Sequence, residues 1–167
     1  MVEIDLADLS SDDFAGLIDS HKRLMLEHSP PESSHALLIE GLRDPAITVW
    51  EVRQDGVLVG CGALKALGSD HGEIKSMHTV EARRGKGLGK RMLEYILAEA
   101  GRRGYARLSL ETGSMDGFLP ARRLYEAYGF VYCGPFADYA EDPNSVFMTF
   151  ELPSGFRSAA KRSRSGP

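Results

Sequence analysis

The stretch Arg84-Gly85-Lys86-Gly87-Leu88-Gly89 decides how the rest of the chain is read. Glycine at every second position lets the backbone aim successive N–H groups at one point. Leu88, Met92, Leu93, Ile96, Leu97 and Ala100 then recur at helical spacing, which puts that point at a helix N-terminus, where peptide dipoles favour an anion. Arg83, Arg84 and Lys86 add positive charge. The chemistry suited to such a turn is a phosphate or pyrophosphate. Two common phosphate loops do not fit it. The pattern G-x-x-x-x-G-K-[ST] would put Arg84 at its first glycine and Arg91 at its hydroxyl position. The dinucleotide pattern G-x-G-x-x-G belongs near a first strand, with an acid about twenty residues on, whereas the spacing here is G-x-G-x-G in mid-chain.

Working outward, residues 73–80 read as the strand leading into the turn. Residues 46–53 and 57–67 flank Gln54-Asp55-Gly56 as a β-hairpin. Near the N-terminus, residues 4–6 form a short strand. Ser11-Asp12-Asp13 then caps a helix striped by Phe14, Leu17, Ile18, Leu24 and Met25, with His21 read as a packed histidine at the core edge. Pro30-Pro31 ends that helix, and a second one is expected over residues 34–43, stopped by Asp44-Pro45. The helix after the glycine turn pairs Lys90 with Glu94 and Glu99 with Arg103 on its outer face, and ends at Gly104. Residues 105–111 form a strand, 119–127 a helix stopped by Gly129, and 130–133 and 145–152 the closing strands. The order is β-α-α-β-β-β-α-β-α-β-β. It predicts an α/β (α+β) domain over residues 1–153, with a mixed central sheet flanked by helices.

The turn resembles the [QR]-x-x-G-x-G/A pyrophosphate loop of the GNAT superfamily of acetyl-CoA-dependent N-acetyltransferases, filled by Arg84, Gly87 and Gly89. Leu124-Tyr-Glu-Ala-Tyr-Gly-Phe130 is similar to that family's L-Y-x-x-x-G-F helix end, and Ser29-Pro-Pro-Glu-Ser33 resembles a bacterial subgroup. The resemblance implies acetyl-CoA as co-substrate, held by Arg84, Gly85, Lys86, Gly87, Leu88, Gly89 and Lys90. Its pantetheine arm lies along Met77, His78 and Thr79, with a backbone N–H there as oxyanion donor. Tyr125 is implied as the acid that protonates the departing thiolate. Many members carry Asn where Phe118 stands, so that polar contact must be absent or replaced here.

Transfer to an amine also needs a base, because an amine titrating near 10 attacks only when neutral. Glu73 precedes Arg84 by eleven residues, the place of the glutamate base in the histone-acetyltransferase branch; Lys75 shares its strand face. Glu111 resembles the acid of N-terminal protein acetyltransferases. His78 and His35 are weaker options; Glu73, acting by way of a water, is the expected base, with Glu111 as the alternative.

Net charge is -4, but residues 154–167 carry four basic side chains and no acid, so the body is near -8. An acidic body argues against nucleic acid and suits a cationic small-molecule amine, as does the run Asp138-Tyr-Ala-Glu-Asp142. A protein lysine or N-terminal acceptor, and a CoA-binding module without turnover, are the rival readings. The basic tail is expected to be disordered and dispensable. The acidic start and the lack of any long apolar run predict a cytoplasmic protein without leader or membrane span. Cys61 and Cys133 are expected as buried reduced thiols. No metal-ligand spacing occurs. Oligomeric state, a homodimer included, is left open.

Overall fold

The computed structural model describes residues 1–155; the expectation of a disordered basic tail therefore lies, from residue 156 on, outside the described residues. The fold is built on the hairpin of β2 (Ile47–Gln54) and β3 (Val57–Ala66), closed by Asp55 and Gly56, both in the left-handed region at φ 53° and 82°. Two such residues give a turn whose twist matches the strands. On one side β2 pairs antiparallel with β1 (Val2–Leu6); on the other β3 pairs with β4 (His71–Thr79). Beyond β4 come β5 (Arg107–Gly113), β7 (Ser145–Glu151) and the edge strand β6 (Val131–Cys133), giving the sheet order β1-β2-β3-β4-β5-β7-β6. Among the described strands only β4 and β5 run parallel, joined by α3 (Leu88–Arg103).

Alternation along the strands separates two apolar clusters. One face of the sheet takes α1 (Asp12–His28) and α2 (Ile39–Leu42), packing Phe14, Leu17, Ile18 and Leu42 onto Val49, Cys61 and Ala63. The other takes α3 and α4 (Leu119–Ala127), with Met92, Leu93, Ile96 and Ala100 against Leu64, Leu108 and Leu110. Leu93 and Ile96 are fully enclosed; each such side chain stabilises the fold by about 1.5–3 kcal/mol. On the outer face of α3, Glu99 pairs with Arg103 at 3.0 Å as expected, but Glu94 accepts the hydroxyl of Tyr128 at 2.5 Å.

Three expectations change. The second helix shrinks from residues 34–43 to one turn, Ile39–Leu42. The chain before it serves long-range contacts instead: the Ser33 hydroxyl donates to Asp142 Oδ2 at 2.7 Å and accepts from the Asn144 amide at 3.3 Å. Cys133 is exposed while Cys61 is buried, because β6 is a three-residue edge strand with β7 as its one neighbour. The third change shapes the site. β4 pairs with β5 from His71 to Ile74 and then leaves it. Against β3 the register jumps from Ala63↔Lys75 to Cys61↔His78, one extra residue on β4, and Ser76 takes φ 54°. The Cys61 thiol donates to the Ser76 carbonyl at 3.2 Å and pins this bulge. A bulge re-aims the backbone and ends pairing, and here it opens a wedge between β4 and β5.

Candidate active site

A cavity of about 460 Å3 fills that wedge, walled by β4, the end of β5, α1 and the starts of α3 and α4. One end is the glycine turn. Gly85 and Gly87 sit at φ 73° and 80°, and a Cβ at either would meet no atom within 4 Å, so the requirement there is the left-handed backbone and not space. Gly87 caps α3 without a side-chain hydrogen bond, and the first helical bond runs from the Arg91 N–H to the Gly87 carbonyl. The amides of Leu88, Gly89 and Lys90 are therefore left without partners in the helix ladder. The Arg84 Nε donates to the Thr79 carbonyl at 3.1 Å, which ties this guanidinium to the end of β4. Free amides, a helix N-terminus and fixed positive charge fit a diphosphate. Arg84, Gly85, Gly87, Leu88, Gly89 and Lys90 line the cavity. Lys86 does not; its ammonium lies 3.5 Å from the Ala82 carbonyl.

Met77, His78 and Thr79 line the middle, just past the bulge. The His78 ring packs against His21 of α1, centroids 4.9 Å apart, and His78 Nε2 and His21 Nδ1 have no protein partner. Burial pushes His78 down to about 3 and His21 down to about 4, with Arg84 adding to both. Both are neutral and weakly basic at neutral pH, which argues against His78 as base. His35 packs its ring edge-on to Tyr139 at 5.1 Å, outside the cavity.

Glu111, one residue past the last β4–β5 pair at Leu110, and Tyr125 line the same cavity. Burial pushes the Glu111 carboxyl up to about 7, with Ser145 and Lys75 pulling it down and the negative charges of Glu73 and Asp142 pushing it up. Tyr125, on α4, is 5% exposed and packs on Phe130 with ring centroids 5.6 Å apart; burial pushes its phenol up. Glu73 is 3% exposed and does not line the cavity. Its Oε2 accepts the Tyr139 hydroxyl at 2.5 Å and the Lys75 ammonium at 3.2 Å. Phe118 does line it, buried beside Gly113, with the His28 ring at 5.8 Å. Among the described residues no His, Cys, Asp or Glu cluster could hold a metal ion, and no helix is long and apolar enough to cross a membrane.

The structure thus brings eleven of the thirteen expected site residues to one cavity and leaves Glu73 and Lys86 outside it. It also brings in residues that the sequence did not mark as part of a site, Leu24, Met25 and His28 on the inner stripe of α1, together with Lys75, the residue expected beside Glu73. The α1 stripe was read as core because a helical stripe alone does not distinguish a packed face from a cavity wall.

Comparisons with known proteins agree with this architecture. The acetyltransferase (GNAT) family model matches residues 9–130. The uncharacterized N-acetyltransferase YsnE of Bacillus subtilis is 54% identical, over 90% of this chain and all of that protein. The IAA acetyltransferase of Azospirillum brasilense is 39% identical, over 79% of this chain and 86% of that one. A solved GNAT-family acetyltransferase from Staphylococcus aureus superposes with TM-score 0.72, covering 92% of this chain and all of the other. At 17% identity that last likeness speaks to the fold.

Proposed function

The chain belongs to the acetyltransferase (GNAT) family, and from that premise we propose that it moves an acetyl group from acetyl-CoA to a small cationic primary amine, with Glu111 as base and Tyr125 as acid. One observation carries the reading: a single cavity is lined by the glycine turn, by the half-buried Glu111 carboxyl and by the buried Tyr125 phenol. The turn takes the diphosphate, and the backbone at residues 76 and 77, lifted out of regular pairing by the bulge, offers N–H groups to the thioester oxygen. Acetyl-CoA supplies the activated acetyl group. Glu111 takes a proton from the acceptor ammonium, the freed nitrogen bonds to the acetyl carbon as the carbon–sulfur bond breaks, Tyr125 gives its proton to the departing sulfur, and the proton still in excess on the new amide nitrogen passes to the tyrosinate, restoring the phenol. The direction suits Glu111, since a carboxyl titrating near 7 is a base matched to neutral pH, and burial keeps the Tyr125 phenol in its protonated form as the reaction begins.

The cationic acceptor is supported by charge. The charges acting on Glu111 are Glu73 and Asp142 against Lys75, so acids outnumber bases here, and the body of the chain is acidic as well. Thiol release with cationic free amines, neutral amines, lysine peptides and IAA (the molecule in the Azospirillum relative's name) tests it. We expect cationic free amines to exceed the others in kcat/KM by about tenfold or more, the scale of electrostatic concentration of a ligand. Preference for IAA, a neutral amine or a peptide would contradict the acceptor class, and no thiol release with any would favour a binding module.

A further inference from the structure

Lys75 raises a difficulty for that chemistry. Its side chain lines the cavity beside Glu111. A free ammonium there would pair with the Glu111 carboxylate, occupy it, and repel a cationic acceptor. The structure directs Lys75 elsewhere. Its Nζ donates to Glu73 Oε2 at 3.2 Å and to the Tyr139 hydroxyl at 2.9 Å, and that hydroxyl in turn donates to the same Glu73 oxygen at 2.5 Å. The triangle closes through its hydrogens: Lys75 donates to both partners, and the Tyr139 hydroxyl accepts from it and donates to Glu73. It is built to stay closed. The Tyr139 ring lies 5.1 Å from Phe136 and 5.5 Å from Phe147, and His35 meets it edge-on. The loop that carries it, residues 134–144, is fastened through Asp142 and Asn144 to Ser33.

We propose that Glu73 and Tyr139 are positioning residues: they hold the Lys75 ammonium off Glu111 and leave that carboxylate free to take the acceptor's proton. The proposal rests on Glu111 as base. The groups facing Glu111 are Glu73 and Lys75 from β4 and Tyr139 and Asp142 from the loop. Glu73 and Asp142 push its pKa up and Lys75 pulls it down. With Glu73 anionic, the pull of Lys75 is offset. Without that charge, Lys75 turns to Glu111.

The test is kcat/KM against pH for the native chain, Glu73→Gln, Tyr139→Phe and Glu111→Gln with the best amine, each first shown to be folded by its melting curve. Glu73→Gln keeps shape and loses charge; its acidic limb is expected to move down by about one pH unit or more, the shift an opposite charge brings to a carboxyl. KM for cationic amines should rise with it. Tyr139→Phe keeps the packed ring and should move the limb in the same direction by less, which decides the matter if Glu73→Gln does not fold. A Tyr139 that only supports the loop would change the melting temperature and leave the limb where it was, and that result overturns the proposal. So does a Glu73→Gln variant slowed about 10²-fold or more at every pH, the loss expected of the base itself. A limb lost in Glu111→Gln yet unmoved in the other two overturns this proposal alone. A native limb retained in Glu111→Gln overturns the base assignment and this proposal with it.

Discussion

The two ends of the cavity are made in different ways. The diphosphate end is contiguous: residues 84–90 supply the left-handed glycines, the helix start and the positive charge, and most of the contacts on offer are backbone N–H groups. The amine end is assembled from afar. Lys75 comes from β4, Glu111 from β5, Tyr125 from α4 and the α1 residues from the start of the chain, while Tyr139 is folded back from the loop before β7. Backbone chemistry that depends on local conformation is robust to what surrounds it. Side-chain chemistry in a partly buried pocket depends on neighbours that only the fold supplies, as the raised Glu111 carboxyl and the lowered His78 and His21 rings show.

Substitutions at the two ends should therefore fail differently. The largest effect is expected at the turn. Gly87→Glu forces a side chain into φ 80° and sets a carboxylate against the diphosphate, so acetyl-CoA affinity by calorimetry should fall by about 10²-fold or more, two close like charges costing several kcal/mol. Unchanged affinity in a folded variant would remove the turn from the site. Next comes Tyr125→Phe. It should lower kcat by about 10²-fold and leave acetyl-CoA affinity nearly unchanged, the signature of a lost proton donor; full turnover with chemistry rate-limiting would make Tyr125 a packing residue only. The smallest effect lies between the ends. Ser76 holds φ 54° in the bulge, so Ser76→Val should destabilise by about 1–2 kcal/mol in urea unfolding and Ser76→Gly should not. Equal stability of the two variants would show that the bulge relaxes freely.

The same contrast explains what the sequence could show. Element order, the hairpin turn at Asp55-Gly56 and the cap at Gly87 follow from period and from residues that favour a positive φ, so they were legible. So was the place of Tyr125 on α4, through the resemblance of its L-Y-x-x-x-G-F setting. The helix over residues 34–43 was not. Its propensity is local, and the contacts of Ser33 with Asp142 and Asn144 span 109 and 111 residues. Nor could the bulge at Ser76 be read, since an extra residue in β4 leaves no mark without its partner strand. Glu73 and Glu111 were both legible as candidate acids. Which of them meets the cavity depends on Tyr139, sixty-six residues from Glu73 in the chain.

The base is where the account is most exposed, and kcat/KM measured from pH 5 to 9 for the native chain and Glu111→Gln examines it most directly. A base must be unprotonated to act, so native activity should rise with pH through a limb near 7, the value to which burial pushes Glu111. Glu111→Gln should lose that limb and run about 10²-fold or more slower above it, the range of general-base loss. A Glu111→Gln variant that keeps both the native rate and the limb would contradict the account.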